Sequence, residues 1–134
     1  MAAEMMASRA TASAETGQPV ILVVEDEELV RLSAVEFLRF SDYQVLEAPD
    51  ADTAVDMLNT GLEVDLVFSD VRMPGRLDGF GLADWVHTHR PSVPVLLTSG
   101  YVGTARSIGR APPILSKPYS FQRLLQKIDE LLRE

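Results

Sequence analysis

The residues best suited to chemistry are carboxylates, a hydroxyl and a lysine, each set at the end of a short apolar run. They read Ile21-Leu-Val-Val-Glu25-Asp26, Asp65-Leu-Val-Phe-Ser-Asp70, Val95-Leu-Leu-Thr98 and Ile114-Leu-Ser-Lys117-Pro118. In an open parallel sheet the carboxyl ends of the strands converge on one crevice, where ligands bind. Such a crevice would bring Glu25, Asp26 and Asp70 together. Three carboxylates left alone repel one another, and a hard divalent cation relieves the repulsion. Mg²⁺ suits an all-oxygen site and also neutralises the oxygens of a phosphoryl group. Asp70 is the best-placed nucleophile, because Ser69-Asp70 leads directly into the turn Val71-Arg-Met-Pro-Gly75. Lys117 would supply a fixed positive charge opposite the metal. Thr98 would offer its hydroxyl to a phosphoryl oxygen, with Ser99 as the neighbouring alternative. A cis bond at Lys117-Pro118 would hold that turn tightly.

These groups need strands and helices to position them. Strands are expected over 20–24, 44–46, 66–68, 95–97 and 114–115. The first and fourth are continuous apolar runs, as in strands covered on both faces. Helical patterns lie between them. Leu29, Val30, Ala34, Phe37 and Leu38 form one stripe; Ala54, Val55 and Leu58 form another, ended by Gly61. Asp78 or Gly79 opens a third, with Leu82, Ala83, Trp85 and Val86 and a stop near Pro91. Ser120 is the expected N-cap of a last helix carrying Phe121, Leu124, Leu125, Ile128, Leu131 and Leu132. Residues 101–113 contain two glycines and end in two prolines, so at most a short, irregular fourth helix is expected there. The alternation predicts an α/β fold: a doubly wound, five-stranded parallel sheet with helices on both faces.

Composition narrows the class. The chain has 134 residues, the size of one domain, and 46% hydrophobic residues, enough for a core. It has no cysteine, which excludes disulfides and thiol chemistry. A formal net charge of -8 argues against a nucleic-acid surface. No run is long and apolar enough for a membrane span. Residues 1–18 lack a signal-peptide pattern and read as a disordered tail ahead of a domain over 19–134, which makes a cytoplasmic location the default.

At these positions the chain resembles the receiver domain of two-component response regulators, of the single-domain, flavodoxin-like type. The likeness runs from Pro19 to Glu134. It rests on Val-Val-Glu-Asp-Glu, Phe-Ser-Asp-Val-Arg-Met-Pro-Gly, Leu-Leu-Thr-Ser-Gly-Tyr and Leu-Ser-Lys-Pro-Tyr, in that order. The resemblance implies that Asp70 accepts a phosphoryl group from a phosphohistidine, with Mg²⁺ as cofactor. It implies that Asp26 is a direct metal ligand, that Glu25 acts largely through a metal-bound water, and that the backbone carbonyl of Arg72 completes the protein ligands. Thr98 would follow the phosphoryl oxygen and Lys117 would pair with it. The protein would catalyse its own phosphorylation and dephosphorylation, with no metabolic substrate. The implied partners are a histidine kinase or histidine phosphotransfer protein upstream, docking on residues 28–38 and 118–121, and a protein target downstream. With no output domain visible, relay, phosphate storage and partner binding are the expected roles.

Some features depart from the family pattern. The loop Pro74-Gly-Arg-Leu-Asp78-Gly79 is about one residue longer than usual, and the stretch from Thr98 to Lys117 about three residues shorter. Ile114 stands where the family often has Tyr or Phe as a rotating switch, so the usual threonine-to-aromatic coupling is in question. Tyr101 is a weak substitute. Two other functions compete: a degenerate receiver that binds partners without phosphorylation, and a small Mg²⁺-dependent phosphohydrolase. The first predicts no acyl phosphate on Asp70; the second predicts turnover of a stable phosphomonoester. Elsewhere plain structural readings hold. Asp56 and Asp129 read as surface carboxylates. Trp85 reads as packing, His87 and His89 as surface residues at a helix end, and Val30 and Phe121 as either contact or core.

Overall fold

The computed structural model describes residues 17–100 and 112–133. Five parallel strands, β1 (Val20–Val24), β2 (Gln44–Ala48), β3 (Leu66–Asp70), β4 (Val95–Ser99) and β5 (Ile114–Ser116), form one sheet in the order β2-β1-β3-β4-β5. The helices between and after them are α1 (Glu28–Phe40), α2 (Ala51–Asn59), α3 (Gly79–His89) and α4 (Phe121–Arg133). The short fourth helix expected over 101–113, and Tyr101 with it, fall mostly or wholly outside the described residues, as does most of the expected tail.

Side-chain alternation along the strands builds two cores. Val20, Leu22 and Val24 of β1, with Val67, Val95 and Leu97, meet Ala51, Ala54 and Leu58 of α2 and Phe80, Leu82, Ala83 and Val86 of α3. Ile21 and Val23, with Leu66, Phe68, Leu96 and Leu115, meet Ala34, Val35 and Leu38 of α1 and Leu124 and Ile128 of α4. The sheet is therefore covered on both faces, and β1 is buried along its whole length. Ser120 caps α4 as expected, its Oγ accepting from the Arg123 amide at 3.1 Å. Asp78 does the same for α3, accepting from the Gly81 amide at 2.8 Å.

The strands reach further than the apolar runs suggest. β3 and β4 take in Ser69, Asp70, Thr98 and Ser99, because the ladder pairs Asp70 with Thr98, and Thr98 with Leu115. The polar groups therefore occupy the last strand positions rather than the loops beyond. In this strand order the direction of winding reverses between β1 and β3, and a crevice opens at their carboxyl ends.

Candidate functional site

Glu25 follows β1, Asp26 opens the turn into α1, and Asp70 ends β3. One carboxylate oxygen from each lies within 4.8 Å of the others, the one such acidic group among the described residues. Asp26 is exposed and Glu25 is buried, at 7% exposure. Burial pushes the Glu25 carboxyl up to about 7. The Glu27 amide, which donates to Glu25 Oε2 at 3.0 Å, works against that shift, as does Lys117; Asp70 and Asp26 add to it. The cluster thus holds more negative charge than its surroundings readily support. Its donors are all carboxylate oxygens, open to solvent through Asp26. This donor set fits a hard divalent cation.

Lys117 reaches Asp70 of this cluster, with Nζ 3.0 Å from Asp70 Oδ2. The Lys117-Pro118 bond is cis, and the Lys117 amide donates to the Ser99 carbonyl at 2.9 Å. These features seat the lysine at the end of β5 beside β4. The Arg72 amide is 3.4 Å from Asp70 Oδ1, so Arg72 stands at the rim of the crevice, with its side chain exposed. Thr98 is adjacent to Asp70 in the sheet but is turned to another partner. Its buried Oγ1 donates to the Leu115 carbonyl at 2.9 Å. Ser99, the alternative hydroxyl, is buried too.

Neighbouring elements complete the walls. Gly79 packs so tightly on Asp70 that a Cβ there would collide with the Asp70 carbonyl oxygen, so α3 begins directly against the β3 end. The long loop after Asp70 is tied to α2: Asp52 Oδ2 accepts from the Arg76 amide at 3.0 Å, beside Gly75 at φ +107°. Tyr119 sits edge-on to Phe68, with centroids 6.0 Å apart. Burial first, then Glu25 and Asp70, pushes its hydroxyl up to about 12, so it stays neutral beside the acidic cluster.

Glu25, Asp26, Asp70, Arg72 and Lys117 lie together at this end of the sheet, and Thr98 pairs with Asp70 in the ladder while its hydroxyl is bonded to Leu115. The histidines do not join them: His89 stacks on Trp85 at 4.3 Å, and both His87 and His89 are exposed. Val30 and Phe121 are each 38% exposed, and Phe121 stacks on Phe37 at 4.3 Å, so both belong to the surface rather than the core. Sequence reasoning missed Arg31, Glu47 and Asp52. All three act on the loops around the site through contacts distant in sequence, so no local motif marks them.

The family model for the response regulator receiver domain matches residues 21–129, and the chain belongs to that family. It is 33% identical over 126 residues to sensor kinase CckA of Brucella abortus, covering 89% of this chain and 13% of that protein. It is 36% identical over 114 residues to the transcriptional regulatory protein PdtaR of Mycobacterium tuberculosis, covering 81% of this chain and 54% of that one. The chain thus spans only part of these relatives' lengths. Among solved structures, the receiver domain of hybrid histidine kinase CckA superposes with a TM-score of 0.71 at 34% identity, covering 84% of this chain and 98% of the other. The response regulator TrrA of Thermotoga maritima, solved in complex with Mg(2+)-BeF, superposes with a TM-score of 0.77 at 25% identity, covering 85% and 99%. Among the described residues, no helix is long and apolar enough to cross a membrane.

Proposed function

We propose that residues 19–134 form a phosphoaccepting receiver in which Asp70 takes a phosphoryl group from the phosphohistidine of a kinase or phosphotransfer protein. The observation that carries this reading is the meeting of Glu25, Asp26 and Asp70 at the β1–β3 crevice with Lys117 paired to Asp70. Likeness to TrrA, solved with Mg(2+)-BeF, supports Mg²⁺ as the cation. Asp26, Asp70 and the Arg72 carbonyl would hold it directly, with Glu25 acting through a bound water. When bound, Mg²⁺ neutralises charge on the phosphoryl oxygens and on the cluster.

In the reaction, an Asp70 carboxylate oxygen attacks phosphorus. The new O–P bond forms as the P–N bond to histidine breaks, and the departing imidazole nitrogen takes the electron pair and picks up a proton. Lys117 exchanges its contact with Asp70 Oδ2 for one with a phosphoryl oxygen, compensating the added charge. The Thr98 hydroxyl leaves the Leu115 carbonyl and donates to another phosphoryl oxygen. Hydrolysis of the acyl phosphate by water returns the carboxylate.

Likeness to sensor kinase CckA supports a histidine-based donor. The docking face we assign to the donor includes Leu29, 77% exposed, with Val30 and Phe121 beside the crevice. We place the reaction in the cytoplasm. The signal then passes through protein contacts to a downstream target. Incubation with acetyl phosphate and Mg²⁺ followed by intact-mass measurement tests the reading: one labile phosphoryl group is expected, and none on Asp70→Asn. An undiminished adduct on Asp70→Asn, or no adduct on the native chain with any phosphohistidine donor, would overturn it.

A further inference from the structure

We propose that Arg31 is a positioning residue for the cation site, fixing the main chain that presents Glu25 and Asp26 without itself touching cation or phosphoryl group. The inference rests on the reading of the crevice as a divalent-cation site.

Arg31 closes the first turn of α1, and its side chain is 16% exposed. Nη1 donates to the Glu25 carbonyl at 2.8 Å, and Nε donates to Glu47 Oε1 at 3.1 Å. Glu47 belongs to β2, the edge strand, and pairs in register with Val23 of β1. One rigid guanidinium fork therefore ties the end of β1 to the neighbouring strand. Two donors in fixed relative geometry set where the Glu25 carbonyl points, and so where the following residue, Asp26, is presented.

The loop needs such a tie. Glu27 occupies the N-cap position of α1 but makes no side-chain capping bond, so the helix start lacks its usual anchor. Other bonds holding 25–27 are the Glu25 amide to the Ala48 carbonyl at 3.1 Å and the Glu27 amide to Glu25's own carboxylate at 3.0 Å, besides the helical bond from the Arg31 amide to the Glu27 carbonyl at 2.9 Å. The second of these depends on the carboxylate that must adjust when a cation enters. Arg31 instead grips the backbone, its Nη1 on the Glu25 carbonyl rather than on a carboxylate oxygen of the cluster.

A positioning role and a charge effect have opposite signs. Arg31 places a positive charge beside the Glu25 backbone at the edge of the acidic cluster, so if it acted through space its removal would strengthen cation binding. If it positions the loop, its removal weakens binding. Metal sites whose supporting contacts are removed typically lose at least tenfold in affinity.

The experiment is Mg²⁺ titration of the full chain, followed by amide NMR shifts of Asp26 and Asp70, for the native protein, Arg31→Met and Arg31→Lys. Arg31→Met is expected to weaken Mg²⁺ binding roughly tenfold. Arg31→Lys should also weaken it, because one ammonium keeps the charge but cannot reproduce the fork. The Mg²⁺ concentration for half-maximal phosphorylation by acetyl phosphate should rise in both, with the rate at saturating Mg²⁺ near the native one. Native or tighter affinity in a folded Arg31→Met protein overturns the proposal. Should that variant fail to fold, native affinity in Arg31→Lys overturns it equally. If the native chain itself shows no Mg²⁺-dependent shifts at Asp26 and Asp70, the cation reading falls and this inference with it. Native binding with an unaffected variant removes Arg31 alone.

Discussion

On the β1 side of the crevice, the Glu25 backbone is held by Ala48 and Arg31 while its carboxylate is held by the Glu27 amide. On the β4–β5 side, Thr98 and Lys117 are engaged with Leu115 and Asp70, partners they exchange in the proposed phosphotransfer. The backbone of the first side is tied in place, while the proposed reaction asks the second side to change partners. The difference follows from what each must do. A cation site gains from donors fixed in advance, because little reorganisation is then needed on binding. A phosphoryl sensor must distinguish two states, and a ligand shifts the balance between them only by interacting differently with each.

The largest effect should come from the residue the two sides share. Asp70→Asn removes both the nucleophile and the Lys117 counter-charge. Intact mass after acetyl phosphate treatment should show complete loss of the phosphoryl adduct. Lys117→Met breaks only the responsive side. The Mg²⁺ site should survive, while the rate of phosphorylation at saturating Mg²⁺ should fall roughly 10²-fold, the usual cost of deleting one preorganised charge donor. Stopped-flow fluorescence is one readout, if Trp85 reports the reaction, and quenched mass measurements are another. A native rate would mean that Lys117 only neutralises the resting Asp70.

The fixed side makes its own prediction in metal-free buffer. Burial raises the folded Glu25 carboxyl from its ordinary 4.5 to about 7. Between those values the folded protein holds more protons than the unfolded chain, so stability falls as pH rises through the window and levels off above about pH 7. The loss should be on the order of 1–3 kcal/mol. Urea unfolding from pH 4.5 to 8 in EDTA measures it. Glu25→Gln should remove most of the slope, and an equal slope in that variant would assign the titration to another group.

How far the sequence reveals this division depends on distance along the chain. Val20–Val24 is legible as a doubly covered strand because every residue is apolar, and all five are buried. Asp70, Thr98 and Lys117 are legible because each follows an apolar run, and strand ends meet in this fold class. The extension of β3 and β4 through their polar ends is not legible. It arises from the pairing of Asp70 with Thr98, a relation between segments rather than a property of either. The same is true of Arg31 and Glu47, which lie 16 residues apart and meet only after α1 folds back across β1 and β2. Thr98 was identifiable as a hydroxyl at the right place, but its resting partner, the Leu115 carbonyl, depends on β5 lying beside β4.

That resting partner gives the finest test of the comparison. Thr98→Ala deletes one buried hydrogen bond, which should cost about 1 kcal/mol of stability, and leaves the Leu115 carbonyl without this donor. The more telling consequence is dynamic. In the native protein, beryllofluoride with Mg²⁺ should draw the Thr98 hydroxyl away from Leu115, so the edge strand Ile114–Ser116 loses one of its ties to β4. Ile114 packs against the core and has no polar group to rotate toward solvent, so it cannot transmit the change as a switching tyrosine would. The route we propose for the signal is the backbone of β5 and the chain between it and β4. Hydrogen exchange of the full chain, with and without beryllofluoride, should therefore change across 100–116 in the native protein. In Thr98→Ala the change should shrink to the residues around Asp70 and Lys117. A native-like response in the alanine variant would show that the hydroxyl is a passenger and that Lys117 alone carries the signal from the phosphoryl group to β5.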